Sequence, residues 1–203
     1  MNKLSDATRD IYDRQAEAFD AERSRAFFEA RWLARFGDGL PRGGRVLDLG
    51  CGTGEPVAAW LINEGFQLTG IDFSSKMLEI ARRRWPEVDW REGDMRDLAL
   101  EDRFDGIIAW HSFFHLTPAE QRQTLPRIAD HLAPDGRLLV TVGPRAGEVT
   151  GTVGGETVYH ASLSPAEYAV ALEDCGLTMT NFVAEDPACR GTSLVMAKKA
   201  GEQ

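Results

Sequence analysis

Val46-Leu47-Asp48-Leu49-Gly50-Cys51-Gly52-Thr53-Gly54-Glu55-Pro56 decides how this chain folds. From Arg45 to Leu49 the run is apolar and rich in branched residues, and glycines end it, as expected of a strand buried on both faces. Beyond Gly54 the period changes to that of a helix, with Val57, Ala58, Leu61 and Ile62 on one face. Strand, glycine turn and helix make the first half of a nucleotide-binding βαβ unit. Glycine is required because the turn visits positive φ and a ligand must approach bare backbone.

The spacing is Gly-Cys-Gly-Thr-Gly, not the G-x-G-x-x-G that seats a pyrophosphate on a helix N-terminus. Asp48 before it disfavours phosphate and suits a cationic ligand. A second strand, Gln67 to Ile71, ends in Asp72-Phe73-Ser74, where a carboxylate offers two acceptor oxygens to vicinal ribose hydroxyls. A third, Val88 to Gly93, closes on Gly93-Asp94-Met95. These stations, over about residues 45 to 143, resemble the motifs of class I S-adenosylmethionine-dependent methyltransferases. The resemblance implies that Asp48, Gly50, Cys51, Gly52, Asp72, Phe73, Asp94, Met95 and Trp110 bind S-adenosylmethionine. Asp94 would accept from the adenine amine, with Met95 along the ring. Tyr12 resembles a lid tyrosine that touches the methionine end of that cofactor.

Composition sets outer bounds. A chain of 203 residues, 43% hydrophobic and 27% charged, suits one soluble α/β domain. A net charge of −9 repels a phosphate backbone, so nucleic acid is not the expected partner. Cys51, Cys175 and Cys189 are far apart and lack metal-ligand spacing, as in a reducing cytoplasm. The polar start has no signal-peptide core, and no apolar run reaches membrane-spanning length. Oligomeric state is not legible.

In chain order, a helix capped by Ser5 and a second from about Glu22 to Phe36 are expected, residues 1–40 forming a lid over a core of residues 41–203. Ser74 or Ser75 caps a helix ending at Trp85, whose Arg82-Arg83-Arg84 reads as a solvated face. A fourth strand, Phe104 to Ala109, runs into Trp110-His111-Ser112-Phe113-Phe114-His115. Thr117-Pro118-Ala119-Glu120 and Ser164-Pro165-Ala166-Glu167 are capping boxes with proline at the first helical position. After Pro134-Asp135-Gly136 comes a fifth strand, then residues 143–163 as a long flexible connection ending near Tyr159-His160. Leu177 to Val183 and Ser193 to Ala197 form a closely linked, antiparallel pair. The expected fold is a three-layer, doubly wound, Rossmann-like sheet of seven strands, order 3-2-1-4-5-7-6, with strand 7 antiparallel.

Methyl transfer is an in-line displacement that needs alignment, and a base only if the acceptor atom starts protonated. His111 and His160 are the catalytic candidates, His115 and Tyr159 the substrate-binding ones. The expected acceptor is a small molecule with an oxygen, nitrogen or sulfur nucleophile, because the motifs of nucleic-acid base methylases are missing. A non-catalytic S-adenosylmethionine-binding regulator would share the cofactor motifs but need no acceptor pocket. A nicotinamide oxidoreductase would share Asp72 but keep an all-parallel sheet.

Overall fold

The computed structural model describes residues 3–24 and 26–201. Strand β1 (Arg45–Leu49) is central because it is buried on both faces, paired in parallel with β2 (Gln67–Asp72) and β4 (Phe104–Ala109). Beyond β2 lies β3 (Asp89–Glu92), and beyond β4 lies β5 (Leu132–Val142). The last strands, β8 (Leu177–Asp186) and β9 (Thr192–Lys199), pair antiparallel, and β9 inserts antiparallel against β5. The order β3-β2-β1-β4-β5-β9-β8 is the expected 3-2-1-4-5-7-6, with the inserted strand antiparallel.

Pleat alternation divides the core into two layers. Leu47 and Leu49 face α5 (Pro118–His131) and α6 (Pro165–Glu173), with Leu125, Ile128, Tyr168 and Leu172 buried against them. Val46 faces the other way, toward α2 (Ala30–Gly37), α3 (Val57–Asn63) and α4 (Ser75–Arg84), through Trp32, Phe36, Leu61 and Leu78. Both capping boxes are complete: Thr117 and Glu120 close one, Ser164 and Glu167 the other.

Four local expectations are corrected. Helix α1 (Lys3–Glu22) already includes Ser5, which is therefore not its cap. The second helix begins at Ala30, not Glu22, because Phe27 has φ +47, which a right-handed helix of L residues does not tolerate. The turn at Pro134-Asp135-Gly136 lies within β5, with Asp135 at φ +63. Residues 143–163 are not a flexible connection. They hold a hairpin of β6 (Gly147–Val153) and β7 (Glu156–Ser162), joined by Gly154-Gly155, both at positive φ as a two-residue hairpin turn requires.

Helix α1 lies across the sheet's carboxyl edge, between α4 and the hairpin. Two of the arginines of α4 are its clasp, not merely a solvated face: Arg83 pairs with Glu17, and Arg84 pairs bidentately with Asp20. Asp13 accepts from the Ser74 hydroxyl at 2.5 Å, and Arg14 and Gln15 reach Glu156 at the hairpin tip.

Gln121 is fully buried and ties the hairpin to α5. Its Nε2 donates to the Leu116 and Ala161 carbonyls, and its Oε1 accepts from the Tyr168 hydroxyl at 2.6 Å. Tyr168→Phe leaves Oε1 without its donor in a dry site and should destabilise the fold by about 1–3 kcal/mol. Urea unfolding checks this; an unchanged midpoint refutes it.

Candidate active site

The ends of β1, β2 and β4 are knitted together before any ligand is considered. Gly50 N–H and Cys51 N–H both donate to the Ile71 carbonyl, at 2.7 and 3.1 Å. The Ser112 hydroxyl donates to the Leu49 carbonyl at 2.6 Å. Asp72 Oδ2 accepts from Gly52 N–H and Oδ1 from Ser74 N–H, both at 2.8 Å. Gly50 is needed because a Cβ there would stand 2.3 Å from that of Ser112. At Gly52 (φ +55) a Cβ would meet no atom within 4 Å, because the glycine borders open space.

That space is a cavity with about 900 Å³ of empty volume, its open mouth included. Tyr12, Gly50, Cys51, Gly52, Asp72, Phe73, Asp94, Met95, Trp110, His111 and His115 all line it, so most of the predicted site residues converge. Asp48, Tyr159 and His160 do not. Asp48 is buried beneath the turn. Tyr159 is buried, and its hydroxyl donates to Glu148 at 2.6 Å. His160 packs on Phe114 and His115, with centroids at 4.6 and 5.0 Å, and lines a separate cavity with Arg145 and Arg190. The Asp94 carboxylate caps a short 3₁₀ turn and pairs with Arg96, which also reaches Glu120.

Burial sets the protonation of this region. Desolvation, then the nearby Asp72 charge, pushes Asp48 up to about 8. Asp72 rises to about 6 by desolvation, backbone N–H groups, those of Ser74 and Gly52 foremost, opposing the shift. The Tyr12 hydroxyl and Cys51 thiol are raised by burial. Burial lowers His115 to about 4 and His111 to about 3, with Arg23 adding to the latter. His115 Nδ1 lies 2.9 Å from the Tyr159 carbonyl, which can only accept. The neutral ring therefore carries its proton on Nδ1, and Nε2 accepts from the Tyr12 hydroxyl at 3.0 Å. His115 thus brackets α1 to the hairpin.

His111 is placed differently. Its backbone is left-handed (φ +55), and its N–H donates to Thr141 Oγ1 at 2.7 Å. Trp110 and Phe114 contact the ring edge-on. Among the described residues no hydrogen bond is made to this ring, and it borders all three cavities at the sheet's edge. The cavity next to the first is walled by residues the motifs did not disclose: Arg23, Glu29, Arg190 and Thr192. Gly-Gly between two Thr-Val pairs was the available signal for the hairpin; nothing local marked Glu29 or Arg190.

This is the layout of a doubly wound domain with a ligand site at its switch point. A methyltransferase-domain family model matches residues 46–136. A dTDP-3-amino-3,6-dideoxy-alpha-D-glucopyranose N,N-dimethyltransferase of Streptomyces fradiae is 37% identical over 159 residues, 68% of this chain and 61% of that protein. A putative methyltransferase of Bacillus subtilis is 33% identical over 138 residues, 65% of this chain and 55% of its own length. The chain thus spans less than two thirds of either relative. The fold matches Burkholderia thailandensis 1,6-didemethyltoxoflavin-N1-methyltransferase, solved with bound 1,6-didemethyltoxoflavin and S-adenosylhomocysteine (TM-score 0.76, 21% identity, 97% of this chain and 88% of that one). Residues 46–136 thus match a methyltransferase domain, and the chain resembles S-adenosylmethionine-dependent methyltransferases in sequence and in fold.

The carboxyl and imidazole shifts give a signed pH dependence. Between pH 3.8 and about 8 the unfolded chain releases the Asp48 proton while the fold keeps it, so stability falls as pH rises. Asp72 adds the same sign up to about 6. His111 and His115 act oppositely: charged only when unfolded, they lower stability as pH falls from 6.5 toward about 3 to 4. Above about pH 7.5 the unfolded histidines are neutral and Asp72 is ionised in both states, so of these groups only Asp48 still titrates, toward about pH 8.5. Asp48→Asn should flatten the decline in melting temperature across that interval; an equal slope in both proteins overturns the assignment.

Proposed function

We propose that this protein transfers a methyl group from S-adenosylmethionine to the nitrogen of a small-molecule amine, by in-line displacement. The observation that carries the cofactor reading is the unmet polar lining of the cavity. Trp110 Nε1 and Thr53 Oγ1 are buried there without partners, beside the Asp72 carboxylate and the space over Gly52. Each is a group that a polar ligand would satisfy. Asp72 would accept from the ribose hydroxyls with the lone pairs its two backbone donors leave over. Met95 and Phe73 would flank the adenine side, with Asp94 at its amine, and Tyr12 and Trp110 the methionine side. When bound, the cofactor supplies an electrophilic methyl on a sulfonium.

His111 selects the acceptor chemistry. A ring held neutral down to about pH 3 is too weak a base to ionise a hydroxyl. Its open ring nitrogen can accept a hydrogen bond from an amine and so orient the nitrogen lone pair. The Streptomyces fradiae relative's name, that of an amino-sugar N,N-dimethyltransferase, supports the same choice. His160 lines only the outer cavity and holds the aromatic wall through Phe114. Tyr159 shapes the wall through its carbonyl on His115.

In this reading α1 and residues up to 40 cover a single catalytic domain of residues 41–203. Among the described residues, no helix is long and apolar enough to cross a membrane. A small-molecule acceptor, no nucleic acid, and a cytoplasmic setting complete the proposal, supported by the net charge of −9 and by Cys51, Cys175 and Cys189 being free thiols.

Calorimetry with S-adenosylhomocysteine tests the cofactor site. Asp72→Ala should weaken binding by about 1–3 kcal/mol, the cost of leaving buried donors unpaired. Unchanged affinity removes Asp72 from the ribose role. Heat of binding for a nicotinamide dinucleotide but none for S-adenosylhomocysteine overturns the reading as a whole.

A further inference from the structure

We infer that the cavity adjoining the methyl site receives an acceptor amine that also carries a carboxylate or a phosphate. In this assignment Glu29 accepts a hydrogen bond from the ligand's donor group, and Arg190 pairs with its anion. The inference rests on the methyl-transfer reading and names the substrate class of that site.

Glu29 is the first support. Its side chain is 4% exposed and stands in the wall of this cavity. Oε1 has Arg23 Nη2 at 3.4 Å, a long contact, while Oε2 is buried with no partner. An acceptor oxygen held dry and unmatched is costly unless something completes it. A neutral amine N–H supplies the donor, and the positive charge that its nitrogen acquires as the methyl is transferred is matched to the carboxylate.

Arg190 is the second. It is exposed, and its guanidinium lies over the Phe28 ring, 4.3 Å from the centroid. Among the described residues it forms no ion pair. Stacking fixes the guanidinium plane and leaves its N–H edge for a planar or tetrahedral anion, which that fork fits in bidentate fashion. Arg190 and Thr192 border both this cavity and the next, where Arg145 also lies. On a chain of net charge −9, Arg190 and Arg145 thus stand together at the mouths of adjoining cavities, with Glu22 and Glu29 on the wall of one of them, a local attraction for an anion beside a cation.

The third support is His111, which borders this cavity and the cofactor cavity together. A ligand spanning Glu29 and Arg190 is therefore adjacent to the methyl site rather than remote from it.

The test uses saturation-transfer NMR on the full chain saturated with S-adenosylhomocysteine. The probes are 2-aminoethyl phosphate, β-alanine, ethanolamine and ethyl phosphate. Binding is expected for the two anionic amines, their relative affinity separating phosphate from carboxylate as the anion. Arg190→Gln should weaken both by about tenfold or more and leave ethanolamine unaffected. Glu29→Gln should weaken the amines by about tenfold and spare ethyl phosphate. Arg190 is exposed, so its variant keeps the test decisive if Glu29→Gln fails to fold. Ethanolamine binding as tightly as 2-aminoethyl phosphate, neither anionic amine binding, or indifference of their affinity to Arg190→Gln overturns the inference. Calorimetry of S-adenosylhomocysteine on the same samples keeps the two readings apart. Lost cofactor affinity in the wild-type chain refutes the methyl-transfer reading, whereas intact affinity with any of these outcomes refutes only the acceptor class.

Discussion

The carboxylate of Asp72 holds the site together. One oxygen takes the Gly52 N–H of the first turn, and the other takes the Ser74 N–H that opens α4. A strand end, a glycine turn and a helix start thus share one buried acceptor. Remove it and two backbone donors lose their partner in a dry place, where each unmet group costs about 1–3 kcal/mol. Cys51 packs into the apolar layer, but the glycines on either side of it have no side chains, so the bond from Gly52 to Asp72 fixes the backbone that lines the cavity. The same group therefore builds the pocket and faces it, which is why its protonation near pH 6 matters to both.

The sheet was legible because its signals are local and redundant. Glycine spacing after β1, an acid after β2, proline-led capping boxes and a terminal strand pair each constrain a few residues, and together they leave one topology. The hairpin of β6 and β7 was not, because β6 faces water and its glycines hide the alternation that marks a strand. The start of α2 differs for another reason. Residues 22–36 carry a continuous apolar pattern, yet Phe27 turns left-handed so that Phe27 and Phe28 can pack beside Trp32. Tertiary packing overrides periodicity there.

The same contrast runs through the site. Residues following β1, β2 and β4 could be named because each strand end is fixed by the topology. Glu29 and Arg190 could not, since they come from opposite ends of the chain and are brought to one cavity by Phe28 under Arg190 and by the Trp32–Asp186 hydrogen bond. His115 belongs between these cases. Its place after β4 was evident, but its part as a bracket requires the Tyr159 carbonyl, 44 residues on, and Tyr12, 103 residues back.

How α1 is fastened has a bearing on its response to salt. Arg9–Glu92, Arg14–Glu156 and Arg83–Glu17 are all open to water, while the sheet beneath is held by apolar burial. Dissolved ions screen exposed pairs within a Debye length of about 8 Å at physiological strength and leave a dry core nearly untouched. The two sets of contacts therefore answer to different solution variables. Rising ionic strength weakens the outer fastenings of α1 first, while its buried ties, Tyr12 to His115 and Ala16 against Met77 and Ile80, hold with the sheet.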